Sequence, residues 1–138
     1  MNGLGNINGW AVVLAAVLYY VLGALWFSPL FGRAWDRSLG YDRSSANGRF
    51  PSSYYVVPLI GSGMVTIVIA TFAAQLQQLS ILGAAAAGAG IGVAIAASTL
   101  TNALTPNTPH PYLFAAITAG YHFVGCTIAG AVIGAIPG

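Results

Sequence analysis

His122 sits inside a long apolar run, where its imidazole could donate, accept or carry a proton near neutral pH. Few other groups in the chain could share that chemistry. Tyr121 precedes it, Cys126 follows on the same helical face, Tyr19 lies in the first apolar run, and Asn102 closes the third. An ionisable group at such depth reads as part of a solute or proton path, or as an imidazole hydrogen-bonded across helices. Proton relays use carboxylates or chains of histidines, and no apolar run here holds a carboxylate. Acid–base pairs and metal-ligand sets are equally missing, so neither an enzyme, a cofactor nor a metal site is expected. One cysteine, Cys126, permits no intrachain disulfide and reads as a small buried residue.

A second cluster, Trp26-Phe27-Ser28-Pro29-Leu30-Phe31-Gly32-Arg33-Ala34-Trp35, joins an apolar run to the charged segment. Trp26, Ser28, Pro29, Gly32 and Trp35 could line a groove for lipid or a partner, or serve as an anchor in which Pro29 turns the chain onto the membrane surface. All formal charges, four Arg and two Asp, fall between Arg33 and Arg49.

The elements that position these groups follow from composition. A chain that is 57% hydrophobic and 4% charged departs from soluble usage, and lipid is its expected solvent. Nucleic acid is excluded as a partner, because the net charge of +2 is confined to one loop. The continuous apolar runs exclude a barrel of alternating strands. The expected fold is all-α: one integral membrane domain over residues 1–138, with spans at about 10–28, 54–76, 81–104 and 112–136 and a charged loop at 33–49. The segment before Trp10 lacks Lys and Arg, so the first apolar run is expected to be kept as a helix.

Along the chain, Trp10 and Trp26 are spaced to reach opposite interfaces, roughly 24 Å apart by helical rise. Pro29 predicts a break or kink at Ser28. Leu30, Phe31, Ala34, Trp35 and Leu39 then recur at helical spacing between charged residues, the pattern of a short interfacial helix. Gln75, Gln77, Gln78 and Ser80 form a short polar link between antiparallel second and third spans. Gly88 and Gly92 in the third span, and Gly130 and Gly134 in the fourth, are four apart and permit close helix packing. Depth pairs His122 with Tyr19, ahead of Tyr20 and Thr66, and argues against Asn102.

The arginine-bearing loop is expected on the cytoplasmic side, with both termini extracytoplasmic. The Gly23–Trp35 segment, with Asn102 and Gly120-Tyr121-His122, resembles a bacterial family of small four-helix membrane proteins catalogued as a domain of unknown function. That resemblance implies a four-helix bundle in the bacterial inner membrane and carries no activity. Relatives often place an aromatic residue and a glutamate after Asn102, where this chain has Ala103, Leu104 and Thr105. The expected partners are the lipid bilayer and other membrane-protein subunits or further copies of the chain. The leading expectation is an accessory subunit presenting its small-residue faces to a larger complex. The alternative is a homo-oligomeric channel, or a transporter of small solutes or lipids, with a path near His122.

Overall fold

The computed structural model describes residues 7–44, 50–76 and 80–138. Arg49 of the charged loop, and Gln77 and Gln78 of the polar link, lie outside them. Among the described residues every regular element is helical. Helix α1 (Gly9–Leu25) begins at Asn8, whose side-chain oxygen accepts the N–H groups of Trp10 and Ala11 at 3.0 and 3.3 Å. Helix α2 (Gly32–Leu39) is short; α3 (Ser53–Gln75), α4 (Ile81–Ala103) and α5 (Pro111–Ala135) are long. Ser80 caps α4 through the N–H of Gly83, and Pro111 opens α5 where a missing N–H costs nothing.

The break or kink expected just after the first span takes the form of a change of helical register around Pro29, before the helix ends. Residues Trp26–Leu30 continue α1 as a single wide π turn, and the helical direction ends only at Phe31. Pro29 has no N–H to offer the carbonyl one turn back. The register slips by one residue, so that the Phe31 N–H donates to the Trp26 carbonyl at 2.8 Å. Gly40, with φ at 65°, closes α2: its N–H reaches the Arg37 carbonyl while that of Tyr41 reaches Asp36.

With the π turn included, four helices among the described residues are long and apolar enough to cross a membrane, which makes this a multi-pass membrane protein. They run alternately up and down. The charged segment and the α4–α5 turn share one end, joined by the His110 N–H donating to the Ser38 carbonyl. At the opposite end the Asn8 amide donates to the Pro137 carbonyl.

Helix α5 is the axis of the bundle, touching all the other helices and α4 most extensively. That contact needs glycine. A Cβ on Gly92 would stand 2.8 Å from the Cα of Phe123, and Cβ atoms on Gly88 and Gly130 would run into the carbonyls of Cys126 and Ala84. On Gly134 it would lie 2.8 Å from the Cβ of Ala84. Backbone therefore rests on backbone along this seam.

Helix α3 packs differently along its length. Ser62, Thr66, Ile69 and Ala70 are buried, whereas every residue from Tyr55 to Ile60 is exposed. Its C-terminal half closes the core and its N-terminal half stands off the bundle, on the side of the charged end.

Candidate functional site

The half-detached helix leaves a cavity of about 590 Å³, walled by α1, α3 and α5 with Ile95 of α4. Its inner end lies at mid-span. There the Tyr19 hydroxyl is 2.6 Å from Nδ1 of His122, and the Cys126 thiol donates to the same hydroxyl at 3.5 Å. Tyr121 donates across to the Tyr19 carbonyl at 3.3 Å. Two glycines make room: the Tyr19 ring occupies the place of a side chain on Gly125, and the Tyr121 hydroxyl lies 3.0 Å from where a Gly23 Cβ would be. Beyond this cluster, toward the uncharged end, Ala15, Ile69, Cys126 and Ala129 are buried and close the core. The cavity is therefore one-ended.

Donor roles at the inner end depend on the His122 tautomer. The thiol donates to the Tyr19 oxygen, and Nδ1 of His122 either accepts the Tyr19 proton or donates to the same oxygen. A neutral imidazole accepting at Nδ1 carries its hydrogen on Nε2. Nε2 has no partner among the described residues and, unlike Thr118 Oγ1, is not sealed from the cavity.

From this floor an aromatic wall rises toward the charged end. Tyr121 meets Phe27 with ring centres 5.2 Å apart, Phe27 meets Trp35 at 5.5 Å, and Trp35 meets Tyr54 at 6.3 Å, all edge-to-face. The family match covers residues 10–134, described as a protein of unknown function (DUF1761). The chain belongs to that family. No curated protein and no solved structure matches it.

In this DUF1761 member the Trp26–Trp35 segment builds the outer rim of the cavity. Trp26 turns inward, its indole N–H donating to the Ile117 carbonyl at 2.9 Å, so it is a tie between α1 and α5 and no counterpart to Trp10, which is 82% exposed. Ser28 lines the cavity, whereas Pro29 shapes the π turn and does not. Gly32 is buried because a Cβ there would stand 2.7 Å from the Phe27 carbonyl and 3.3 Å from the Arg43 guanidinium. Through that gap Arg43 donates to the Phe27 carbonyl at 3.2 Å while holding both Asp36 oxygens, at 2.8 and 2.9 Å. The hydrogen bonds to Asp36 push the Arg43 pKa above its already high ordinary value.

The structure gathers Tyr19, Tyr121, His122, Ser28 and Trp35 around one cavity, with Trp26 and Gly32 as its supports. It leaves Asn102 outside, exposed in the last turn of α4 with its carbonyl bound by Thr105. Gly88, Gly92, Gly130 and Gly134 belong to the α4–α5 seam. No three His, Cys, Asp or Glu among the described residues come together to hold a metal ion.

Sequence reasoning misses three residues. Asp36 counts there only as a polar position of the short helix and Arg43 only as an orientation signal, although together they lock the rim. Thr118 is marked in the sequence only by its place four residues before His122 on one helical face. In the structure it lines the cavity and its buried hydroxyl has no hydrogen-bond partner.

Proposed function

We propose that the protein binds a lipid-soluble small molecule in the cavity between α1, α3 and α5, and that its role is binding or carriage rather than catalysis. The observation that supports this most is the shape of α3, packed by its C-terminal half and standing off between Tyr55 and Ile60. That shape holds open about 590 Å³ of mostly apolar, aromatic-walled space, with Tyr19 and His122 at the inner end and Ser28 and Tyr54 toward the rim. Volume and lining both suit a ligand site. Among the described residues no Asp, Glu, Lys or Arg lines the cavity, so His122 has no ionised partner there for chemistry on the ligand. Closure beyond Tyr19 argues against a channel through the single chain.

An accessory-subunit role draws less support, because the small-residue faces that would meet another protein are taken up inside the chain between α4 and α5. On the arginine rule the charged end is cytoplasmic in a bacterial plasma membrane and both termini lie outside. Helix α2 and the residues leading into it then lie in the interface, with Leu30, Phe31 and Leu39 exposed, and the ligand enters from the cytoplasmic half of the bilayer.

A solvatochromic apolar probe such as 1-aminoanthracene tests the role in nanodiscs. Gly61 lines the cavity, and a Cβ there meets nothing within 4 Å, so Gly61→Phe fills the space without displacing backbone. Saturable binding with one site per chain, lost in Gly61→Phe, is expected; equal probe signal from the two proteins would contradict the role.

A further inference from the structure

We infer that the outer face of α2 binds the headgroup phosphate of an anionic phospholipid between Arg33 and Arg37. This rests on the interfacial placement of α2 proposed above and is independent of the cavity.

Charge is the first ground. The chain sets four Arg against two Asp. Asp36 is buried with both carboxylate oxygens bonded to Arg43, and Asp42 accepts the N–H and the hydroxyl of Ser44. Arg33 and Arg37 are exposed, and neither guanidinium has an ion pair or hydrogen bond among the described residues. Their charge is left for something outside the chain.

The second ground is where the two stand on α2. Gly32, Asp36 and Ser38 are the buried residues of this helix, so the exposed Arg33 and Arg37, one turn apart, share its outer face. Like charges at that spacing destabilise a helix. Arg37 in the last turn complements the helix dipole, but Arg33 in the first turn opposes it, and no acidic residue stands there to offset the charge. The stability of α2 therefore accounts for one arginine and not for the pair. An anion held between them replaces their repulsion with attraction to both.

Surroundings name the anion. Leu30, Phe31 and Leu39 flank the arginines and are exposed, so in the interface acyl chains cover them and the anion at that level is a lipid phosphate. The guanidinium fork matches phosphate oxygens. Helix α2 is no free tail: the Asp36–Arg43 pair and the His110 N–H on the Ser38 carbonyl hold it to the bundle, so both guanidinium groups are carried on a docked element. A headgroup that adds an ammonium to its phosphate has no net charge and is attracted less, so the lipid selected is net negative.

Native mass spectrometry tests this by counting the lipids that stay on the protein when it is released from nanodiscs of equal parts phosphatidylglycerol and phosphatidylcholine. Wild type is expected to retain phosphatidylglycerol preferentially. Each arginine contributes about 5-fold, so Arg33→Gln and Arg37→Gln should each lower the preference by about that factor, and the double variant should bring it near parity. Arg33→Lys, which keeps the charge, should keep most of it. Melting is followed for each variant, and the single variants carry the test if the double one does not fold. Placement is checked separately by a bimane on Leu39→Cys in a Cys126→Ala background, which a nitroxide on the lipid headgroup should quench. Equal retention of the two lipids by wild type, with the bimane quenched, would overturn the inference and leave α2 in the interface. A preference that survives the double variant would overturn it as well. A bimane reached only by aqueous quenchers would overturn the placement and the inference together.

Discussion

The Tyr19 hydroxyl and Nδ1 of His122 lie 2.6 Å apart, joining α1 to α5 at the middle of the bundle, and Gly125 has no side chain where the Tyr19 ring passes. Lipid offers these groups no alternative partner, so the bond fixes the ring of His122 and the floor of the cavity together. A double-mutant cycle with Tyr19→Phe and His122→Ala should give a coupling of roughly 0.6 to 2 kcal/mol in detergent denaturation. Additive losses would show that the two residues act independently.

Glycine at the α4–α5 seam is a matter of clearance. Gly88→Ala drives a methyl into the Cys126 carbonyl, whereas a Cβ on Gly90 meets nothing within 4 Å. Gly88→Ala is expected to destabilise by about 1 to 3 kcal/mol. Gly90→Ala should be neutral, or stabilising by up to about 1 kcal/mol through helix propensity. Thermal unfolding of the two variants side by side checks the contrast.

Much of this arrangement is legible in the sequence. Four apolar runs can satisfy their backbone only as helices, and the loops between them are short or rich in Pro and Gly, so the four-helix fold follows directly. The depth of Tyr19 and His122 follows from counting along those runs. The path after Trp26 does not, because Pro29 can either break a helix or widen it, and the π turn that results is seen only in the structure. Asp36 and Arg43 sit seven positions apart with a helix end between them, so their meeting depends on the left-handed Gly40 turning the chain back. Thr118 is legible as a neighbour of His122 on one helical face, and the missing bond of its hydroxyl is seen only in the structure.

The rim pair yields a further expectation. Arg43 and Asp36 are partly buried, with side-chain exposures of 30% and 12%, and Arg43 also braces the Phe27 carbonyl. Arg43→Gln should cost about 1 kcal/mol of stability, kept small by solvent screening. The larger effect is local: α2 loosens, Trp35 becomes more accessible, and its fluorescence shifts to the red. An unshifted spectrum would mean that α2 stays docked without the pair.

Thr118→Val tests whether the buried hydroxyl makes any bond in the protein. Nothing in the empty protein is lost with this hydroxyl, so the variant should be as stable as wild type or more stable by about 1 kcal/mol. Thr66→Val, which removes a 2.7 Å bond to the Ser62 carbonyl in the core, has no such reason to stabilise. Unfolding of both variants, followed without added ligand, compares them. A clear loss of stability in Thr118→Val would assign the hydroxyl a structural partner.

Orientation is tested by single cysteines in a Cys126→Ala background. Ser44→Cys and Ser80→Cys stand at opposite ends of the bundle and should label from opposite sides of the membrane. With the arginine-bearing end cytoplasmic, an impermeant reagent applied to intact cells should reach Ser80→Cys and spare Ser44→Cys. The reverse pattern would invert the molecule.

The most direct measurement is native mass spectrometry of the protein released from its own membranes. Wild type and Gly63→Phe should carry one non-covalent small-molecule adduct, since Gly63 is open but lies outside the cavity lining; Gly61→Phe should carry none. Wild type free of any adduct, or an adduct retained undiminished by Gly61→Phe, would contradict a ligand held in this cavity.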